Sequence, residues 1–142
     1  MAELIYITGG ARSGKSAYAQ GRCENHPGEL LYLATAAAGD EEMAARIVRH
    51  QQARGARWST LEEPLELAGR LPAAAAGRAA VLVDCLTLWL TNLFFHCDQH
   101  PEPVLEQVRG LIKVLPTIPA PVYLVASEIG CGVVPENRLA RD

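Results

Sequence analysis

The sequence lacks the features that mark secreted, membrane or nucleic-acid-binding proteins. Its four cysteines are far apart and form no C-x-x-C pair, which argues against a zinc site or a disulfide framework and favours a reducing compartment. No apolar run approaches the roughly 18 residues of a membrane span, and the N-terminus lacks a signal-peptide pattern. The net charge of -3 gives no general reason to expect nucleic acid. These absences predict a soluble cytoplasmic protein with no membrane span and no nucleic-acid partner.

What is present is the pattern of a globular α/β protein. With 142 residues, 49% hydrophobic and 20% charged, the chain is the size of one domain, and we predict a single domain over 1–142. Short apolar runs alternate with helical patterns, which favours a parallel sheet flanked by helices. We predict strands at 4–7, 30–33, 80–83 and 122–125. We predict helices at 15–24, 40–54, 64–71, 86–95 and 103–115, with a loop at 72–77.

A glycine-rich segment follows the first predicted strand and fits G-x-x-x-x-G-K-[ST]. Its residues are Gly9, Gly10, Ala11, Arg12, Ser13, Gly14, Lys15 and Ser16. Glycines let backbone N–H groups curl around phosphate oxygens, and the helix that begins near Lys15 adds its positive N-terminal end. Lys15 is expected to reach the β- and γ-phosphates, and Ser16 to hold Mg²⁺. The alternative is an ordinary glycine-rich turn, but the preceding strand favours binding of a nucleoside triphosphate.

Carboxylates follow two of the other predicted strands. Asp84 ends the run 79–83, where it is expected to bind Mg²⁺ directly or through water, as such residues do in P-loop proteins. Glu128 follows the run 122–125 and should lie on the same edge of the sheet. An acidic residue after a strand also commonly caps the next helix, so capping stays open for both.

The predicted helix at 40–54 carries a basic stripe. Arg46, His50 and Arg54 are spaced i, i+4 and i+8. A neutral imidazole is a good nucleophile or proton carrier near pH 7, and flanking guanidinium groups can hold a phosphate before it. The spacing alone favours a solvated helix face over a catalytic histidine. His26, His96 and His100 are interpreted as surface residues.

Taken together, several blocks resemble one family in order along the chain, from Leu4 to Asp142. They are the glycine-rich segment with Thr8, Tyr32-Leu33-Ala34-Thr35-Ala36, the helix 40–47 with His50, Trp58-Ser59-Thr60-Leu61-Glu62-Glu63-Pro64, the segment 83–93 and the segment 134–141. The family is the bifunctional adenosylcobinamide kinase and adenosylcobinamide-phosphate guanylyltransferase of cobalamin assembly. The fold that this resemblance implies is a RecA-like P-loop NTPase domain with a mostly parallel sheet flanked by helices.

The resemblance implies two reactions. A nucleoside triphosphate, ATP or GTP, phosphorylates adenosylcobinamide; GMP is then transferred from GTP to adenosylcobinamide phosphate, giving adenosylcobinamide-GDP and pyrophosphate. In the family a histidine carries the GMP, and that position falls on His50. The family's nucleotide contacts fall on the glycine-rich segment and on Leu33, Ala34, Thr35, Gln51, Arg54, Glu62 and Asp84.

The resemblance also implies a homotrimer. Family members continue past the Arg138-Leu139-Ala140-Arg141 block into another helix and strand, so 1–142 is expected to lack a C-terminal part of the family domain. Such a loss would expose an apolar sheet face and an unpaired edge. Two other functions stay open from the sequence: a generic P-loop kinase in which His50 forms no covalent bond, and a nucleotide-binding protein without complete catalysis.

Overall fold

Five strands form one sheet in the computed structural model, which describes residues 3–9, 14–35 and 55–127. The strands are β1 (Leu4–Gly9), β2 (Leu30–Ala34), β3 (Trp58–Glu62), β4 (Ala80–Asp84) and β5 (Val122–Ser127). Their order across the sheet is β1-β5-β4-β2-β3, and every neighbouring pair is parallel. The predicted parallel α/β architecture is confirmed.

Four α-helices flank the sheet within these ranges: α1 (Lys15–Glu24), α2 (Leu67–Ala75), α3 (Leu86–His96) and α4 (Pro101–Val114). A 3-10 turn, Leu115–Thr117, continues α4. In the described part of the chain, no helix is both long and apolar enough to cross a membrane. The predicted helix at 40–54 lies outside the described residues.

Each face of the sheet has its own core. Because successive strand residues point to opposite faces, a strand covered on both sides is apolar throughout. On one face α1 packs through Ala19 and Cys23 against residues such as Tyr32, Leu82 and Tyr123. The other face carries α2, α3 and α4 over residues that include Leu31, Leu33, Val81, Val83 and Leu124.

The prediction missed β3. Its sequence, Trp58-Ser59-Thr60-Leu61-Glu62, is mostly polar and forms an edge strand whose first four residues are half-buried. Val, Ile and Leu accumulate in strands that are covered on both faces, so a search for such runs finds the central strands and overlooks this edge.

The predicted boundaries of α2 were also wrong. The helix was expected at 64–71 and a loop at 72–77, but α2 spans Leu67–Ala75 and includes Pro72. A proline inside a helix removes one backbone hydrogen bond. Here Leu67, Leu71 and Ala75 are spaced i, i+4 and i+8 and are all fully buried. Burial of this stripe, about 1.5–3 kcal/mol for each large apolar side chain, offsets the lost bond.

Candidate active site

The parallel strands bring several of the predicted site residues to one edge of the sheet. Asp84 at the end of β4 lies beside Ala34 of β2, and Ala34 lies beside Glu62 of β3. On the other side Asp84 pairs with Val125 of β5, which pairs with Ile7 of β1. Gly9 ends β1 two residues further on, so the carboxyl edge is the common location, as is usual for ligand sites in open α/β sheets.

The end of the glycine-rich segment forms the start of α1. Gly14 has φ +80° and precedes Lys15, the first residue of the helix. That left-handed conformation is easily adopted only by glycine. It directs the backbone into α1, whose first turn carries Lys15 and Ser16, and the N-terminal end of a helix attracts anions. Gly10, Ala11, Arg12 and Ser13 lie outside the described residues.

A hydrogen-bonded cluster joins α1 to the ends of two strands. The Ser16 hydroxyl donates to Asp84 Oδ2 at 2.9 Å. The Tyr32 hydroxyl donates to the same oxygen at 2.6 Å. Both predicted metal-side residues, Ser16 and Asp84, are thus in direct contact, although they are 68 positions apart in sequence.

Asp84 does not cap the following helix, because the neighbouring residue does. The N-cap of α3 is Cys85, whose Sγ accepts a hydrogen bond from the Leu88 N–H at 3.4 Å. Burial, with a further contribution from the Asp84 charge, raises the pKa of the Cys85 thiol, although the Leu88 N–H works in the opposite direction. Cys85 therefore remains a neutral thiol near pH 7, and the capping interpretation of Asp84 was wrong.

Two polar residues, Thr35 and Asn92, form hydrogen bonds that connect the segments after β2, β3 and β4. Thr35 is fully buried, and its hydroxyl accepts from the Cys85 N–H at 2.9 Å and donates to the Cys85 carbonyl at 2.8 Å. The Asn92 amide on α3 donates to the carbonyl groups of Thr35, at 2.9 Å, and Pro64, at 3.2 Å. Asn92 therefore links the segment after β2 to the segment after β3.

Sequence reasoning placed Thr35 at the site but missed Asn92. The signal that could have found it is a lone amide in the mostly apolar run Leu88-Trp89-Leu90-Thr91-Asn92-Leu93. A half-buried amide in such a helix needs hydrogen-bond partners, and the carbonyl groups at neighbouring strand ends supply them.

The last residue of β3, Glu62, and the next residue, Glu63, have different environments. Glu62 is exposed at the carboxyl edge, whereas Glu63 is 8% exposed. One oxygen of Glu63 accepts from the N–H groups of Leu65 and Glu66, and the other accepts from Arg70 at 2.9 Å. Burial favours the protonated acid, but these donors outweigh it and lower the pKa of Glu63. Glu63 therefore fixes the turn that follows Glu62.

Several predicted residues lie outside the described ranges. They are the proposed nucleophile His50, the nearby Gln51 and Arg54, the stripe residue Arg46 and the carboxylate Glu128. Of the other histidines, His96 and His100 are exposed as expected. His26 is half-buried instead, with its Nε2 at 2.7 Å from the Tyr123 hydroxyl.

A separate cavity of about 360 Å³ lies between α2 and the β2–β3 edge. Its two arginines are already paired with carboxylates, Arg70 with Glu63 and Arg78 with Glu29. None of the predicted nucleotide-binding residues that the structure describes lines it. Among residues 3–9, 14–35 and 55–127, no three or more His, Cys, Asp or Glu side chains are grouped as metal ligands.

Comparison with known proteins gives a consistent result. Residues 5–142 match the family described as cobinamide kinase / cobinamide phosphate guanyltransferase. The bifunctional adenosylcobalamin biosynthesis protein CobP of Pseudomonas aeruginosa is 47% identical over 135 residues, which cover 95% of this chain and 77% of that protein. The CobU proteins of Salmonella typhimurium and Escherichia coli, with the same description, are 40% and 39% identical; each alignment covers 97% of this chain and 82% of the relative.

Proposed function

The chain belongs to the cobinamide kinase / cobinamide phosphate guanyltransferase family, and we propose that it performs both reactions of that family with the phosphate site at the carboxyl edge of its sheet. It is a kinase and nucleotidyltransferase of cobalamin biosynthesis. The first reaction would phosphorylate adenosylcobinamide with a nucleoside triphosphate. The second would transfer GMP from GTP to adenosylcobinamide phosphate.

One observation carries the proposal: the hydroxyl of Ser16, on the helix that follows the glycine-rich segment, is 2.9 Å from Asp84 Oδ2 at the end of β4. Lys15, next to Ser16 at the start of α1, would contact the β- and γ-phosphates. Such a lysine, hydroxyl and carboxylate are the side chains that P-loop enzymes use to hold a triphosphate and its cation.

The two side chains also fit Mg²⁺. Mg²⁺ prefers oxygen ligands, and in nucleotide sites it takes one or two from the protein and others from phosphates and water. Ser16 and Asp84 supply two such oxygens on adjoining elements. When bound there, the ion would neutralise charge that develops on the phosphate oxygens. The Lys15 ammonium group would hold the same triphosphate in position during phosphoryl transfer and during guanylyl transfer.

Guanylyl transfer would use His50 as nucleophile. One imidazole nitrogen would attack the α-phosphorus of GTP, forming a P–N bond as the bond to pyrophosphate breaks. A phosphate oxygen of adenosylcobinamide phosphate would then attack the same phosphorus and release His50. In the helix that the sequence predicts at 40–54, Arg46 and Arg54 would lie one turn to either side of His50 and would be suited to hold the phosphates during both steps.

The remaining nucleotide contacts would come from the adjoining strand ends. We assign three groups of residues to GTP binding: Leu33 and Ala34 at the end of β2 with Thr35 directly after it, Gln51 and Arg54 near His50, and Glu62 at the end of β3. Ala34 and Glu62 are paired neighbours in the sheet, which supports a shared surface beside Asp84. We further propose that the protein acts in the cytoplasm and as a homotrimer, with ATP or GTP as phosphoryl donor.

The test is incubation with GTP labelled at the α-phosphate in the presence of Mg²⁺, followed by peptide mapping. A phosphoramidate is stable to base and labile to acid, so label with that behaviour should map to His50. His50→Ala should abolish this label. If phosphoryl transfer to adenosylcobinamide is direct, it should continue in the variant.

His96→Ala is the matched control, because His96 is exposed and is not among the proposed site residues. It should label like the wild type. Undiminished labelling of His50→Ala, or GMP on another residue, would contradict the assignment of the nucleophile. Label from the γ-phosphate alone would favour a generic kinase, and GTP binding without turnover would favour a binding protein.

A further inference from the structure

The Asp84 carboxylate is held by a second residue that is not part of the phosphate-binding segment. Its Oδ2 atom accepts hydrogen bonds from Ser16 at 2.9 Å and from Tyr32 at 2.6 Å. A carboxylate oxygen has about two lone-pair sites, so these two donors occupy both of them. The Tyr32 distance is in the range of a strong, charge-assisted O–H···O⁻ bond.

The sheet explains how Tyr32 reaches Asp84. Ala34 pairs with Asp84, and Tyr32 is two residues earlier in β2, so Tyr32 and Asp84 share a face of the sheet. That is the face covered by α1, which carries Ser16. The tyrosine side chain is long enough to extend diagonally from β2 to the end of β4.

Contacts below the site fix the Tyr32 ring. Tyr32 is 8% exposed, and its ring packs edge-to-face on Trp58 with centroids 6.3 Å apart. Trp58 is in turn held by a hydrogen bond from its Nε1 to Glu24 at 2.9 Å. These contacts involve the core and the C-terminal end of α1, so they do not depend on a nucleotide.

We propose that Tyr32 is a positioning residue for the metal-side carboxylate. Ser16 would serve as a ligand of a bound cation, and its hydroxyl would then leave one lone-pair site of Oδ2 vacant. The Tyr32 hydroxyl keeps its bond to the same oxygen and so holds the carboxylate in one orientation during this exchange. This inference rests on the proposed function, because it takes Ser16 and Asp84 as the Mg²⁺-binding pair.

The experiment compares GTP binding with and without Mg²⁺ by isothermal titration calorimetry for the wild type, Tyr32→Phe, Tyr123→Phe and Asp84→Asn. Tyr32→Phe removes one hydroxyl and keeps the packed ring. Tyr123→Phe is the matched control: Tyr123 is also buried on the α1 face, and its hydroxyl is bonded to His26 at 2.7 Å. Asp84→Asn shows how GTP binding responds to Mg²⁺ when the carboxylate itself is lost.

We expect Tyr32→Phe to raise the Mg²⁺ concentration for half-maximal enhancement of GTP binding by about tenfold, the size of effect that loss of a hydrogen bond to a charged group produces. Its GTP affinity in EDTA should equal that of the wild type. Tyr123→Phe should match the wild type in both conditions, and Asp84→Asn should lose the Mg²⁺ enhancement.

Two results would overturn the inference in distinguishable ways. In the first, Asp84→Asn loses the Mg²⁺ enhancement, but Tyr32→Phe either responds to Mg²⁺ like Tyr123→Phe or loses metal-free GTP affinity to the same extent as Mg²⁺-dependent affinity. The metal site then stands, but Tyr32 does not position the carboxylate. If the wild type shows no Mg²⁺ enhancement, or Asp84→Asn retains it, the metal site itself fails and the inference fails with it.

Discussion

At the scale of single residues, Lys15 is the side chain that we propose to act in both reactions. It is the first residue of α1 and directly precedes Ser16, whose hydroxyl contacts Asp84. An ammonium group at this position would stabilise the triphosphate during phosphoryl transfer and during loss of pyrophosphate. One substitution is therefore expected to affect two activities.

Lys15→Ala should lower the rates of phosphoryl transfer and guanylyl transfer together, each by about 10²–10³-fold, which is typical for loss of one electrostatic contact in a transition state. Initial rates with adenosylcobinamide and with adenosylcobinamide phosphate measure the two effects. Lys113→Ala, which alters the exposed lysine in the last turn of α4, should leave both rates unchanged. Wild-type rates in Lys15→Ala would remove the glycine-rich segment from the mechanism.

Residues of the site differed in how well the sequence predicted them. Ser16 and Asp84 were both predicted as metal-side residues because the chemistry of a phosphate site restricts residue type and spacing. The structure places them in contact, and their metal role stays a prediction. The contact of Tyr32 with Asp84 could not be predicted, because it depends on which strands are neighbours in the sheet. No local pattern indicates that β2 lies beside β4.

At the scale of elements, the site depends on connections between strand ends. The segments after β2 and β3 carry Thr35 and Pro64, and both of their carbonyl groups accept from the Asn92 amide of α3. The Glu63 N–H adds a bond to the Ala34 carbonyl at 2.8 Å. These bonds hold the proposed GTP-binding residues Ala34, at the end of β2, and Thr35, directly after it, close to Glu62.

Asn92→Ala should therefore weaken both stability and nucleotide binding. It leaves two carbonyl groups without their donor, and we expect a loss of about 1–3 kcal/mol in the free energy of unfolding. KM for GTP should rise because the strand ends separate, as measured by steady-state kinetics at a temperature where the variant is folded. Thr91→Ala, on the exposed side of the same helix, serves as control. An unchanged KM for GTP would mean that Asn92 has no part in shaping the site.

Elements with strong apolar patterns could be predicted closely. The predicted bounds of α1 match those of the structure, and the central strands β2, β4 and β5 differ by at most two residues. The edge strand β3 and the start of α2 were missed, because their formation depends on what covers them rather than on local pattern. The turn between β3 and the start of α2 is an example: it is stabilised by the burial of Glu63 as well as by the local hydrogen bond from the Glu66 N–H to Glu63.

At the scale of the whole molecule, the sheet separates the contacts of α1 on one face from those of α2, α3 and α4 on the other. The strand that precedes the glycine-rich segment, β1, and the strand that ends in Asp84, β4, lie on either side of β5. Within the described ranges, α1 alone covers the face that carries Tyr32, and α2, α3 and α4 cover the other face. The turn at Glu63 connects the edge strand β3 to the helices of the second face, so its ionisation should affect the stability of the folded domain.

Acid should destabilise the protein in part through Glu63. The pKa of Glu63 is lowered in the folded state, whereas the pKa of a glutamate in an unfolded chain is about 4.3. The stabilisation by ionised Glu63 is therefore complete when the pH is above the pKa of Glu63 in the unfolded chain. It is lost as the pH falls through the lower pKa of Glu63 in the folded state. The N–H groups of Leu65 and Glu66 are the main donors, since Arg70 is 52% exposed and screened by solvent.

Glu63→Gln should lower the free energy of unfolding by about 1–2 kcal/mol at pH 7, because a neutral amide accepts these bonds more weakly than a carboxylate. The difference from the wild type should shrink as the pH falls from 5 towards 3, where the wild type loses the same charge. Urea unfolding followed by circular dichroism across this range measures both curves. Glu102→Gln, exposed in the first turn of α4, should keep the wild-type pH dependence. If the difference between wild type and Glu63→Gln stays constant down to pH 3, the charge of Glu63 does not stabilise the fold, and the turn after β3 is held by packing alone.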